Sequence, residues 1–368
     1  MRFFVPTDIY VEKNCVKNHA KNLLAIGRRA FIMTGHKSAA LNGSLNDVAE
    51  VLDVGNVPYL VFNEVEENPS TDTLRKAASA AKEFNVDFVI GIGGGSAIDA
   101  AKAVALLLSN PDLDADDLHK VPSRPLEHMP VVAVPTTCGT GSEATPVAII
   151  TNHKINLKKS IPHVIFPTLA LVDGKYLASA KKQLIVNTAV DALAHMVECV
   201  LNVKSNAFNR MFPEYGLRLW GECKEALLAN GDVNANLYEK LMLASTVAGI
   251  SIAHTSTTLP HGMSYDLTLH KGVPHGPAVG YFLAAYTEVC AKFVPRDVAE
   301  ILALLGLKNI DEFTAMLQSL IGTYSVTREM RDKFSAAMKV NRSKLDLVPG
   351  NITAEDVDFI YEKSLQIK

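Results

Sequence analysis

The first half of the chain alternates short apolar, β-branched runs with stretches whose apolar positions recur at helical spacing. Ala30–Thr34, Pro58–Phe62, Val86–Ile92 and Val131–Pro135 read as strands, with a further strand at Leu169–Asp173 closing this half. Between them, Ser70–Phe84 and Ser96–Ser109 carry the 3.6-residue period. Strands alternating with helices predict βαβ units and a buried parallel sheet flanked by helices. After about Lys182 the pattern turns helical, over Leu184–Leu201, Glu214–Ala229, Leu237–Ala253, Ala278–Phe293 and Val298–Leu305. A last helix starts at Thr353, with Asp356 in capping-box spacing. No strand is predicted in this half. Ser109–His128 and Arg342–Asn351 read as the least structured stretches. The expectation is an α/β domain over 1–180 and an all-helical domain over 181–368.

A length of 368 residues fits two cores better than one. The net charge of −3 removes electrostatic support for a nucleic-acid or membrane-surface role. The opening residues do not read as a signal peptide, and apolar runs such as Ala103–Leu108 are far too short to span a membrane. The cysteines, Cys15, Cys138, Cys199, Cys223 and Cys290, are odd in number, scattered and free of any CxxC pairing, which points to a reduced, cytoplasmic chain.

At the end of the Val86–Ile92 strand lies GIGGGSAIDAAK, with Gly93, Gly94 and Gly95 at a strand–helix junction. Glycines let backbone N–H groups approach an anion closely, and a helix N-terminus favours phosphate. The run lacks the spacing of both the usual dinucleotide fingerprint and the P-loop, so by itself it fits a phosphate cradle or a tight turn. Ser96 is expected to cap the helix, and Ser96 with Asp99 fits a capping box. A second polar loop, PTTCGTGSEATP, follows the Val131–Pro135 strand. Two such loops at the carboxyl ends of strands, where open α/β sheets place ligands, favour nucleotide binding.

Asp191 and His195 are four apart on a helix, which puts them on one face. Asn187 is expected to cap that helix. His261 and His275 are each flanked by proline and glycine, a setting uncommon for packing residues. Gly272 and Pro274 break any continuous helix between them, so His275 is expected on a turn. One carboxylate and three imidazoles suit Fe²⁺ or Zn²⁺. The rival reading is a cluster of surface or hydrogen-bonding histidines, since His254 and His270 lie close in sequence.

Together these segments resemble the iron-containing, or group III, alcohol dehydrogenases. GGGSAIDAAK, PTTCGTGSE, VDALAHMVE, HGMSY…PHG and the tail NITAEDVDFIYEKS carry the likeness, which spans nearly the whole chain. The resemblance implies the two-domain plan also found in dehydroquinate synthase, with the active site in the cleft between the domains. It places metal on Asp191, His195, His261 and His275. It places the pyrophosphate on Gly93, Gly94, Gly95 and Ser96 with Asp99 beside them, and other cofactor contacts on Thr136, Thr137, Thr140 and Lys158 or Lys159. It further implies hydride transfer between NAD(P)(H) and a small aliphatic alcohol or aldehyde, in a homo-oligomer, most simply a dimer. The alternatives are a glycerol dehydrogenase-like oxidoreductase, a dehydroquinate synthase-like lyase, and an inactive nucleotide-binding scaffold.

Two positions depart from the family pattern. Many members carry a second histidine four residues after the one matching His261; this chain has Tyr265, a poorer proton shuttle near neutral pH. Where NAD-preferring relatives often place an aspartate after the first strand of the nucleotide fold, this chain has Gly35, followed by His36, Lys37 and Ser38. Loss of the repelling carboxylate, with Lys37 at hand, tilts the expectation toward NADP(H). The other reading of this segment is an ordinary surface turn.

Overall fold

A computed structural model of the chain describes residues 2–231 and 233–368. It divides into two compact units: Val5–Ala180 with Ala235–Gly249, and Met1–Phe4 with Lys181–Asn234 and Ile250–Lys368.

The first unit is built on strands β1 (Asp8–Val11), β2 (Ala30–Thr34), β3 (Tyr59–Phe62), β4 (Phe88–Gly93), β5 (Val131–Pro135), β6 (Ile149–Asn152), β7 (Leu157–Ser160) and β8 (Leu169–Val172). Six of them form one parallel sheet in the order β1-β8-β5-β4-β2-β3. Strands β2, β4, β5 and β8 are buried at every position, which explains their unbroken apolar sequences. Alternate residues feed two cores. Phe31, Met33 and Val89 pack in one with Val104 and Leu106; Ile32, Ile90, Val132 and Val134 pack in the other with Val48 and Leu52.

Three features of this unit depart from expectation. β8 closes this half of the chain as expected, but an unexpected β1 lies outside it in the sheet, a four-residue edge strand too short and too exposed to leave a hydrophobic signature. An antiparallel hairpin, β6–β7, follows the second polar loop, and its LKKS strand is largely polar. The helix after the glycine run starts at Gly95 with Gly94 as its N-cap, so Ser96 lies inside it and caps nothing. Ser96 Oγ instead accepts from Asn68 N at 3.3 Å.

The second unit is helical, with main helices at Lys182–Val200, Met211–Leu228, Leu259–Lys271, His275–Ala291, Pro295–Leu304, Ile310–Ile321, Arg328–Lys339 and Ala354–Ser364. Leu193, Trp220, Phe282, Tyr286, Phe313 and Tyr361 fill its core. The capping box at Thr353 and Asp356 forms as expected. The Lys182–Val200 helix starts more than a turn before Asn187, whose side chain accepts from Gln183 Nε2 at 2.8 Å within the helix instead of capping it. This unit also holds strands the sequence did not reveal: β9 (Ser325–Val326) and β10 (Gln366–Ile367), a two-residue parallel pair too short for periodicity. Within Arg342–Asn351, Arg342–Leu345 is a helical turn. Among the described residues no helix is long and apolar enough to cross a membrane.

Candidate metal centre and nucleotide loops

Three helices deliver the four metal-ligand candidates. Asp191 and His195 lie one turn apart on the Lys182–Val200 helix. His261 is the third residue of the Leu259–Lys271 helix, which Pro260 helps to start and Gly272 ends in a left-handed conformation. His275 is not on a turn but is the first residue of the next helix, immediately after the Gly272–Pro274 break. Gly276 makes that placement possible. A Cβ there would sit 1.8 Å from the Asn187 carbonyl oxygen, so only glycine lets the new helix pack its first turn against the Asp191 helix.

Three imidazoles converge on one carboxylate oxygen. Asp191 Oδ1 lies 3.4 Å from His261 Nε2, 3.6 Å from His275 Nε2 and 3.8 Å from His195 Nε2. Asp191, His261 and His275 form the tightest group, with ligand atoms within 4.8 Å of one another. The His195 ring stacks on that of His261 with centroids 4.4 Å apart. Ligand atoms bound at about 2.1 Å in a tetrahedral site stand roughly 3.4 Å from one another, so these separations suit a shared cation. Asp191 Oδ1 and His261 Nε2 are buried, face each other, and complete no hydrogen bond. A buried acceptor without a donor is costly, and a cation bound by both atoms would remove the cost. The donor set therefore fits a divalent transition metal on chemistry, spacing and unmet polar demand. Burial alone would raise the Asp191 pKa, but the neighbouring His195, His275 and His261 hold it well below the ordinary carboxylate range.

Glu198 ends the VDALAHMVE segment, where the sequence suggests no role for it, and it is central to the geometry. It is fully buried, two turns beyond Asp191 on the same helix. Its Oε2 accepts a hydrogen bond from His261 Nδ1. Its Oε1 accepts from Thr258 N at 2.8 Å, Thr258 Oγ1 at 3.0 Å and His261 N at 3.4 Å. Glu198 thus fixes the Nδ1–H tautomer of His261 and turns the Nε2 lone pair toward Asp191. Burial pulls the His261 pKa down, but Glu198 and Asp191 outweigh it and push it up to about 9. The recoverable signal was spacing: position 198 falls three after His195 and seven after Asp191, on one helix face.

Tyr265 follows His261 by one turn, its ring nearly parallel to that of His275 at 6.4 Å. Burial, aided by the charges of Glu198 and Asp191, pushes its phenol up to about 12. The other nearby histidines are used elsewhere. His254 is bonded to Ile250 O at 2.7 Å and to Phe4 N at 3.1 Å, and His270 is an exposed residue stacked on Phe334.

In the first unit the two polar loops lie side by side at the carboxyl edge of β4 and β5. Gly93 pairs in register with Pro135, and Thr136 N donates to Gly93 O at 2.9 Å. A Cβ on Gly94 would stand 3.0 Å from Thr137 Oγ1, and one on Gly95 would stand 2.7 Å from Thr140 Cγ2. Gly93 to Gly95, Thr136, Thr137 and Thr140 are thus brought together as expected. Asp99 is not in a capping box: its carboxylate accepts from Ser142 Oγ at 2.5 Å and Ile149 N at 2.8 Å, tying the glycine helix to the second loop. Lys158 lies half-exposed on β7. Gly35 directly follows β2, whose Thr34 pairs with Ile92 of β4, so it shares the edge that carries the glycine run. Lys37 is exposed at the start of the short Ser38–Leu41 helix.

Fold and site together define a parallel α/β unit and a helical unit that carries a candidate His/Asp metal site. Comparison with known proteins agrees. Residues 6–174 match the family described as "Iron-containing alcohol dehydrogenase", and residues 185–365 match "Fe-containing alcohol dehydrogenase family, C-terminal". The chain belongs to the iron-containing alcohol dehydrogenase family. It resembles a crystal structure of an iron-containing alcohol dehydrogenase from Thermotoga maritima, with a TM-score of 0.89 and 34% identity over 99% of each chain. It is 28% identical to the NADPH-dependent butanol dehydrogenase of Clostridium saccharobutylicum, covering 95% of this chain and 90% of that protein. It is 26% identical to the bifunctional aldehyde-alcohol dehydrogenase AdhE of Escherichia coli K12, covering 89% of this chain but only 41% of that protein's length.

Proposed function

We propose that this chain is a metal-dependent oxidoreductase that passes a hydride between NAD(P)(H) and a small aliphatic aldehyde or alcohol. The observation that carries the reading is the convergence of three histidine Nε2 atoms on Asp191 Oδ1. Asp191, His195, His261 and His275 would hold the metal, and Gly93, Gly94, Gly95, Thr136, Thr137 and Thr140 would hold the dinucleotide. When bound, the cation supplies Lewis acidity toward the substrate oxygen and the nicotinamide supplies or accepts the hydride. Iron is the preferred metal by family, and the same donors accept zinc.

The protein's part is orientation. Glu198 keeps the proton on His261 Nδ1 and leaves Nε2 as the donor atom. Tyr265 keeps its own proton across the working pH range, because its pKa is pushed up to about 12, so it acts as a hydrogen-bonding wall residue and not as a proton shuttle. Gly35, with Lys37 and Ser38 next in sequence, supports NADP(H) as the dinucleotide, in keeping with the NADPH-dependence named for the similar butanol dehydrogenase. The five cysteines are buried and form no disulfide, which suits a reducing, cytoplasmic setting.

The test is a screen of straight-chain aldehydes against NADH and NADPH on protein reconstituted anaerobically with Fe²⁺ or Zn²⁺. The reading expects metal-dependent oxidation of the reduced dinucleotide, with NADPH at least as good as NADH. Binding of dinucleotide without turnover of any aldehyde would overturn it.

A further inference from the structure

Lys102 is completely buried in the middle of the Gly95–Ser109 helix. A buried ammonium is costly unless all its protons are taken up. Here its Nζ donates to Ser142 Oγ at 2.8 Å, Val147 O at 2.8 Å and Thr145 Oγ1 at 3.3 Å. All three acceptors belong to the second polar loop or the segment just after it. One turn earlier on the same helix, Asp99 accepts from Ser142 Oγ and from Ile149 N, and its Oδ1 stands 3.8 Å from Lys102 Nζ. Ser142 is therefore held from both sides, donating to the carboxylate and accepting from the ammonium. The next residue, Glu143, is also buried and accepts from Thr246 Oγ1 at 2.8 Å. Burial pushes the Lys102 pKa down to about 8, with Asp99 and Glu143 opposing the shift.

We propose that Lys102, Asp99 and Ser142 form a buried polar rivet that positions the two loops for the dinucleotide without touching it. This rests on the reading that these loops bind NAD(P)(H). The geometry demands such a device, because the loops meet with no slack. A methyl group on Gly95 would stand 2.7 Å from Thr140 Cγ2, closer than contact allows, and one on Gly94 would crowd Thr137 at 3.0 Å. On the helix, Asp99 and Lys102 follow Gly95 by one and two turns; on the loop, Ser142 follows Thr140 by two residues and its N–H donates to Thr140 Oγ1 at 3.3 Å. A loop displaced by about 1 Å loses the alignment of its N–H and hydroxyl groups with a bound phosphate. The rivet also gives Asp99, Lys102 and Ser142 a common task that the metal site does not supply.

The experiment compares wild type with Ser142→Ala and Lys102→Met, each loaded with Fe²⁺. NADPH and NADH affinities are measured by fluorescence titration, alongside kcat, KM, metal content and melting temperature. Both variants are expected to bind dinucleotide at least tenfold more weakly. The cofactor KM should rise in parallel while kcat at saturation stays within about twofold and metal content is unchanged. Ser142→Ala removes only a hydroxyl and decides the matter if Lys102→Met does not fold. A folded Ser142→Ala with wild-type affinity and KM would overturn the rivet while leaving the functional reading intact. A wild type that binds neither dinucleotide would overturn the functional reading and the rivet with it.

Discussion

Glu198 and His261 are joined by a hydrogen bond from Nδ1 to Oε2, wholly within the protein interior. The pair makes one ring nitrogen permanently a donor to protein and leaves the other for Asp191 and a shared cation. A carboxylate behind a ligating histidine raises the basicity of the ligand and freezes its orientation. Glu198→Gln keeps an acceptor but removes the charge. It is expected to weaken Fe²⁺ or Zn²⁺ binding by about 10- to 100-fold, measured by equilibrium dialysis with metal analysis. Wild-type affinity in a folded Glu198→Gln would reduce Glu198 to a packing partner.

The same pair predicts how metal affinity follows pH. His261 is held up to about 9 by Glu198 and Asp191 against the downward pull of burial. Below that value the ring carries a second proton, on Nε2, which an incoming cation must displace. Apparent affinity should therefore rise with pH, by up to about tenfold per unit between roughly pH 6 and pH 8, and level off as pH approaches the His261 value. In Glu198→Gln the dependence should flatten at lower pH. A flat profile in wild type over the same range would contradict the assignment of His261 Nε2 as a ligand.

Gly94→Val tests the phosphate cradle. A Cβ there stands 3.0 Å from Thr137 Oγ1 and 3.2 Å from Thr137 Cγ2, so a branched side chain pushes on the second loop while it screens the backbone N–H groups. The variant should raise the cofactor KM at least tenfold and keep its full metal content, since the ligands lie in the other unit. Unchanged cofactor affinity with an intact fold would make the glycine run a structural turn only.

Gly35→Asp tests dinucleotide choice. The new Cβ would meet Val65 O at 3.4 Å, an ordinary contact, so the site accepts a side chain. A carboxylate there bonds a ribose hydroxyl and repels a 2′-phosphate. A charge-assisted phosphate contact is worth about 1.5–3 kcal/mol, so the ratio of kcat/KM for NADPH over NADH should fall by roughly ten- to a hundredfold. Strong preference for NADH in wild type would show that Gly35 and Lys37 form no phosphate site.

The two halves of the molecule were legible in the sequence to different depths. Strands β2, β4, β5 and β8 announced themselves because central parallel strands are apolar on both faces. β1 and the β6–β7 hairpin did not, because they are short and partly polar. The caps proposed at Asn187 and Ser96 failed for one reason: a polar residue near a helix start reads as a cap from sequence even when the helix begins earlier. Asp191, His195, His261 and His275 stood out because their residue types are rare in such settings. Glu198 and Lys102 did not, since a buried charge looks like any surface charge until its partner, 63 residues away for His261 and 40 for Ser142, comes into contact. Long-range pairing of this kind leaves no trace in local periodicity.

The metal should follow His261 and His275, and not His254 or His270. Wild type, His261→Ala, His275→Ala, His254→Ala and His270→Ala should be loaded with Fe²⁺ under anaerobic conditions, dialysed, and analysed for iron and for NADPH oxidation with an aldehyde. Wild type, His254→Ala and His270→Ala should each retain about one iron per chain, the stoichiometry of a single shared site. His261→Ala and His275→Ala should lose most of it and fall at least a thousandfold in turnover. Full iron content in both His261→Ala and His275→Ala, with their folds intact, would contradict the metal centre and the function built on it.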